Sequence, residues 1–152
     1  MAQTANAIPE FREPTAIEKL FNRVMGALAG WGIGPKYMYL LQVRGRKSGR
    51  IYVTPVNVMD VGAKRYLIAP RGRTQWVRNA EAAGEVTLKR GGSVERCGLQ
   101  EISGDAKNGL LKEYLERYVG AVQRYFPVKA GSPVEAFREI AGLYPVFELV
   151  GK

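Results

Sequence analysis

The sequence predicts a small, predominantly antiparallel β-barrel with helices packed outside it, a mainly β chain of the α+β kind. Five or six strand-like runs follow one another with glycine-bearing turns between several of them. Few helical stretches intervene, whereas a parallel Rossmann-type sheet alternates strands with crossover helices. The first strand-like runs are also largely apolar on both faces, which suits a closed or two-sided sheet better than a solvated one.

The elements are read in order. "TAIEKLFNRVMGALAGWG" sets Ile17, Leu20, Phe21, Val24, Leu28 and Trp31 at helical spacing, opposite Glu18, Lys19, Asn22 and Arg23. That helix either packs on the core or lies as a lid or on a membrane surface, and Gly30, Gly32, Gly34 and Pro35 stop it. "YMYLLQV" (37–43) and "IYVTPVNVMDV" (51–61) read as strands flanking the turn "RGRKSGR". "RYLIA" (65–69), "EVTLKR" (85–90) and "SVERCGLQEI" (93–102) continue them, the last two joined at Gly91-Gly92 as a hairpin. "TQWVRNAEAAG" reads as a short helix ending at Gly84. The spacing predicts one long helix over 105–126, with Leu111, Tyr114, Leu115, Tyr118 and Val122 on one face, stopped by Pro127. A short helix (133–142) and a closing strand (144–150) complete the chain. All of this is one domain over 1–152: a lead-in helix (1–34), barrel strands with basic loops (35–102), then helices and the closing strand (103–152).

Composition narrows the chemistry. Lysine and arginine outnumber acids 23 to 14, a net charge of +9 that favours anionic partners. There is no histidine, which removes the usual general base and the commonest metal ligand. The lone Cys97 allows no disulfide within the chain and reads as a small buried residue. The first residues lack a secretory pattern, and no apolar run reaches about 18 residues. A cytoplasmic protein is expected, with the helix over 15–31 offering contact to the inner membrane face.

Two basic clusters stand out. Arg44, Arg46, Lys47 and Arg50 surround Ser48 and Gly49, and Arg71, Arg73 and Arg78 surround a glycine that leads into a helix. Guanidinium forks, glycine-turn amides and a hydroxyl are the parts of an anion site, and helix amides near Thr74 would add their dipole. A solvated surface is the competing reading of either cluster alone. No P-loop or dinucleotide fingerprint is present. Glu135 and Glu139 flank Arg138, which suits a salt-bridged surface better than an acid pair. With no nucleophile–histidine pair possible, a reactive centre here would come from a bound organic cofactor and not from a metal.

Residues 38–102 resemble the deazaflavin-dependent nitroreductase family, split-barrel reductases that use coenzyme F-420 and belong with the flavin and deazaflavin oxidoreductases. The resemblance rests on "GRKSG", on "TP" five residues later, then a strand, a basic glycine turn and "WVRN" in that order, with a weaker likeness in "YPVFEL". It implies an FMN-binding-like split β-barrel with the deazaflavin along a groove. Arg46, Lys47 and Ser48 would then hold the coenzyme's phosphate, and Pro55, Val56 and Asn57 would pass beside the ring. Ala69, Pro70, Arg71 and Arg73 would line the ring edge and the anionic glutamate tail, and Thr74, Gln75, Trp76 and Asn79 would complete the pocket.

Other roles compete at several of these positions. Trp76 also fits a core residue, Asn79 a hydrogen-bond organiser or cap, and Thr54-Pro55 an edge or bulge. Nitroreductase members tend to carry an aromatic hydroxyl where this chain has Asn57, which weakens any expectation of nitro reduction. Tyr125 and Tyr144 are candidates for a substrate wall, or else packed residues.

The expected activity is hydride transfer from C5 of reduced F-420 to a small hydrophobic, electron-poor acceptor such as a quinone, an activated alkene or a nitroaromatic. No catalytic side chain is assigned, and the proton comes from water or a tyrosine. Three alternatives stay open: a non-catalytic carrier of deazaflavin, flavin or tetrapyrrole; an FMN-dependent enzyme; and a nucleic-acid binder. The last is disfavoured because the aromatics lie within apolar runs and do not alternate with exposed cations. The sequence does not indicate an oligomeric state.

Overall fold

A computed structural model describes Arg23 and residues 35–151. The expected helix over 15–31 therefore falls almost wholly outside the described residues. Six strands form a closed barrel in the order β1-β2-β3-β6-β5-β4: β1 Met38–Arg44, β2 Ile51–Val61, β3 Lys64–Ile68, β4 Glu85–Arg90, β5 Ser93–Glu101 and β6 Val146–Gly151. Every neighbouring pair is antiparallel. Two-residue turns join β2 to β3 and β4 to β5, and Gly62 (φ 62) and Gly91 (φ 59) open them with the positive φ that tight hairpins need.

Closure explains strands that are apolar on both sides. Leu41, Val43, Val58, Leu67, Val86 and Leu88 point inward and fill the barrel, with Cys97 buried among them. Met59, Tyr66, Ile68 and Val146 belong to a second cluster, under the helices that follow β5. Arg65 on β3 crosses to Glu95 on β5, donating from Nη1 to Oε1 at 3.0 Å and from Nη2 to Oε2.

Among residues 35–151, two helical regions decorate the barrel. Helix α1 (Gln75–Ala83) lies between β3 and β4, and its Ala80 joins the barrel-filling cluster. After β5 come α2 (Asp105–Arg117), the single turn α3 (Val119–Val122), a 3₁₀ turn (Gln123–Tyr125), the single turn α4 (Glu135–Arg138) and a second 3₁₀ turn (Ala141–Leu143). The long helix expected over 105–126 is thus broken at Tyr118 (φ −117°, ψ 31°). Tyr118, Val122 and Phe126 still enter the core beside Leu111, Tyr114 and Leu115 of α2. The helix expected over 133–142 shrinks to α4 and the 3₁₀ turn, with Phe137 and Ile140 buried in the same cluster.

One seam of the barrel matters for function. Among the described residues, 51–57 of β2 have ladder partners only on β1, and pairing with β3 begins at Val58. Val58 N–H goes to Tyr37 O (2.7 Å) and Arg50 O receives Gly45 N–H (2.7 Å), so even-numbered residues address β1. Pro55, being odd, turns its missing donor toward the open side, where it costs no ladder bond. The edge reading of Thr54-Pro55 is the one observed.

Candidate functional site

The turn between β1 and β2 is ordered by its own residues. Gly49 N–H reaches Gly45 O (3.0 Å), Arg44 Nη1 donates to Gly49 O (2.9 Å), and Arg50 N–H donates to Ser48 Oγ (3.1 Å). Ser48 Oγ also lies 3.3 Å from the Tyr52 hydroxyl. Gly45 is closely packed here: a Cβ would stand 2.5 Å from the Tyr52 ring and 2.9 Å from Ser48 Oγ, so both side chains would have to shift. Side-chain positions in this turn therefore follow from a compact backbone.

The second basic loop leads into α1. Ala69 N–H bonds Pro145 O (3.0 Å), Gly72 N–H bonds Ala69 O (3.1 Å) and Thr74 N–H bonds Gly72 O (2.9 Å), which turns the chain into the helix. Thr74 is the N-cap, yet its hydroxyl makes no capping bond, and Oγ1 is buried without a hydrogen-bond partner. Arg78 Nε ties back to Arg73 O (3.2 Å).

The two loops converge. Asn79 Oδ1 accepts from Arg46 Nη1 (2.7 Å) and from Arg46 backbone N–H (3.1 Å), while Gln75 Oε1 accepts from Arg46 Nη1 (3.0 Å). Asn79 is only 4% exposed, so α1 presents a fixed oxygen to the turn. The acceptors are neutral amides, so the Arg46 charge is oriented without being cancelled. Among the described residues no ion pair involves Arg44, Arg46, Lys47 or Arg50. No acid occurs between Arg44 and Met59. An acid-free turn bonded to a helix N-terminus with an unsatisfied hydroxyl is chemically suited to an anion.

The sequence-expected residues fall as follows. Arg46, Gln75 and Asn79 meet directly; Lys47 and Ser48 are exposed on the same turn, and Thr74 begins α1. Pro55, Val56 and Asn57 lie on the open stretch of β2. Val56 packs toward the barrel interior, and Trp76 packs half-buried between that cluster and the one formed by Ala69, Val77 and Phe147. Pro70 and Arg71 are half-buried on the second loop. Arg73 differs from expectation: it is paired with Glu81 and approaches Glu101 at 4.0 Å, so the second loop carries less uncompensated charge than its sequence suggests.

Tyr144 does not form an open wall. It is 1% exposed, its ring stacks on Phe126 at 4.4 Å, and its hydroxyl donates to Tyr125 O at 2.6 Å. Burial raises its pKa well above the ordinary phenol range. Tyr125 is half-buried, and Arg124 stacks over its ring and donates to its hydroxyl (2.7 Å).

Other tyrosines stand where sequence reasoning assigned only packing. Tyr114 of α2 is buried with its hydroxyl near the Asn57 side chain, and burial pushes that hydroxyl far above the usual value. Tyr118 meets Tyr114 edge-on (5.1 Å between centroids) and Tyr37 at 4.7 Å, so an aromatic set runs from Asn57 to the surface at Tyr37. Helical spacing correctly put Tyr114 and Tyr118 on an inward face; it carried no signal that this face meets Asn57. Among the described residues, no group of histidine, cysteine and acids could hold a metal, and no helix is long and apolar enough to cross a membrane.

A family model described as F-420H2-dependent quinone reductase matches residues 11–133. No curated protein matches. A solved structure described as F-420-H2 dependent reductase (FDR-A) is 19% identical, with a TM-score of 0.51 over 75% of this chain and 94% of its own. Another, described as a domain-swapped dimer, is 19% identical with a TM-score of 0.54, covering 88% of this chain and 92% of its own. At such identities the structural likeness speaks for the fold alone.

Proposed function

The chain belongs to the F-420H2-dependent quinone reductase family, and we propose that its two converging loops seat the coenzyme's phosphate while the open edge of β2 flanks the deazaflavin ring. The protein is an F-420-dependent oxidoreductase, and its coenzyme is the deazaflavin F-420. When bound in reduced form, that coenzyme supplies the hydride, which a chain without histidine or a metal-ligand cluster among its described residues has no need to generate itself. The observation that carries the seat is the bond set from Arg46 to Asn79 and Gln75.

The residues present fit such a group. Arg46 and Lys47 supply cationic donors for a phosphate, and Thr74 Oγ1 supplies a hydroxyl that has no other partner. The α1 amides add the positive end of a helix dipole. On β2, the backbone groups of Val53 and Asn57 face the side without a strand partner and can meet the polar edge of a flat ring. Val56 and Trp76 give an apolar backing at that edge.

The acceptor in this reading is a small quinone beside Asn57. The Asn57–Tyr114 pair offers a hydrogen-bond donor to a quinone oxygen, and Tyr118 and Tyr37 offer ring surface. The Tyr114 hydroxyl keeps its proton at neutral pH, so it orients and donates a hydrogen bond and does not act as a base. Titrating the protein with F-420 by fluorescence, then mixing it with reduced F-420 and a soluble quinone, tests the assignment. Saturable binding and quinone-dependent loss of reduced coenzyme are expected; no binding at low ionic strength refutes the seat.

A further inference from the structure

Tyr52 is 46% exposed, so burial in the barrel does not explain where its hydroxyl stands. The strand register sets Tyr52 opposite Val43 and Ile51 opposite Arg44, and Gly45 N–H reaches Arg50 O (2.7 Å), so the ladder runs on into the β1–β2 turn. Gly45 leaves room for the ring there, since a Cβ would stand 2.5 Å from Tyr52 Cε2. The ring carries its hydroxyl back over the turn, to 3.3 Å from Ser48 Oγ. Ser48 is exposed beside Arg46 and Lys47.

A serine hydroxyl has one proton to give and two lone pairs to fill. Arg50 N–H fills one lone pair at 3.1 Å. Tyr52 decides the rest. If Ser48 donates to Tyr52, its only proton is spent within the turn. If Tyr52 donates to Ser48, both lone pairs are taken and the Ser48 proton points out of the turn. A phosphate offers acceptor oxygens, so an anion at the turn selects the second arrangement. The present separation is longer than the usual one of about 2.7–2.8 Å between hydroxyls, which leaves room for the pair to tighten as an anion polarises it.

We propose that Tyr52 is a positioning residue of the coenzyme seat: its hydroxyl donates to Ser48 Oγ and so commits the Ser48 proton to the bound phosphate. This role rests on the seating of the F-420 phosphate by the turn. Gly45 belongs to the same device, because its missing side chain is what lets the ring lie close enough for its hydroxyl to reach Ser48.

The test uses the full chain as wild type, Tyr52→Phe, Ser48→Ala and the double variant, each checked for folding by thermal melt. Each is titrated by fluorescence with F-420 and with the same deazaflavin lacking phosphate and tail. Tyr52→Phe keeps the ring over Gly45 and removes only the donor. It should weaken F-420 about two- to tenfold, the worth of one neutral hydrogen bond, and leave the phosphate-free compound unchanged. In the Ser48→Ala background the same change should cost nothing further, because the two hydroxyls act as one unit. Should Ser48→Ala fold poorly, Tyr52→Phe read on the two compounds still decides. No loss of F-420 affinity in Tyr52→Phe, an equal loss for both compounds, or a loss that persists without the Ser48 hydroxyl overturns the role of Tyr52 and leaves the seat standing. A wild type that binds the two compounds equally, or binds neither, overturns the seat and this role with it.

Discussion

Asn79 Oδ1 accepts both the backbone N–H and the guanidinium Nη1 of Arg46, at 3.1 and 2.7 Å. One buried amide on α1 thereby fixes both the path of the β1–β2 turn and the direction of its central cation. A carboxylate in that place would fix the same geometry and cancel the charge. The choice of a neutral acceptor is what leaves the turn able to attract an anion.

Asn79→Asp separates those two effects. The variant should fold with a melting temperature at or above that of the wild type at low salt, because Arg46 gains an ion pair. Its affinity for F-420 should fall about tenfold, comparable to losing one charge-assisted hydrogen bond. Melting curves and fluorescence titration at matched ionic strength check both halves.

Gly45→Ala tests the close packing of the turn. The added methyl meets the Tyr52 ring at 2.5 Å, so stability should drop by about 1–3 kcal/mol, as overpacking does. The double variant with Tyr52→Ala should recover part of the loss in urea unfolding. A purely additive second loss would place the strain elsewhere.

The tyrosines divide into structural and functional ones. Tyr144→Phe leaves Tyr125 O without its donor and should cost about 1–2 kcal/mol of stability, with kcat/KM for quinone retained. Tyr114→Phe removes the hydroxyl that meets Asn57. It should lower kcat/KM about three- to tenfold while F-420 affinity is unchanged.

Acid sensitivity should arise in part from the pair across the barrel. The Arg65 hydrogen bond, aided by its charge, holds Glu95 below the ordinary carboxylate range. A carboxylate lowered in the fold adds stability above its unfolded pKa, about 4.3, and that stability is lost as pH falls through the folded value. Glu95 is 40% exposed, so the effect is no more than about 1 kcal/mol. Melting temperature should therefore fall more steeply between about pH 5 and pH 3 for the wild type than for Glu95→Gln.

Much of the barrel was legible because periodicity and turn chemistry are local. The runs 51–61 and 85–90 match β2 and β4 residue for residue, and apolar character on both faces correctly indicated closure. The break at Tyr118 was not legible, because Leu111, Tyr114, Leu115, Tyr118 and Val122 keep helical spacing across it and no proline marks it. Both basic loops could be found in the sequence, but not their partners. Arg46 meets an oxygen 33 residues away, and Arg73 meets Glu101 from another strand. Side-chain period assigns a face, and barrel register decides what that face touches. Of the two readings of Tyr144, substrate wall or packed residue, the packed one is observed, with the ring stacked on Phe126.

A crystal structure of the complex with F-420 decides whether the two basic loops seat the coenzyme. The phosphate should lie within hydrogen-bond distance of Arg46 and Lys47 on one loop and of Thr74 on the other, with the ring along Pro55–Asn57. Coenzyme bound at the Arg65–Glu95 end of the barrel, or phosphate touching neither loop, would contradict that seating.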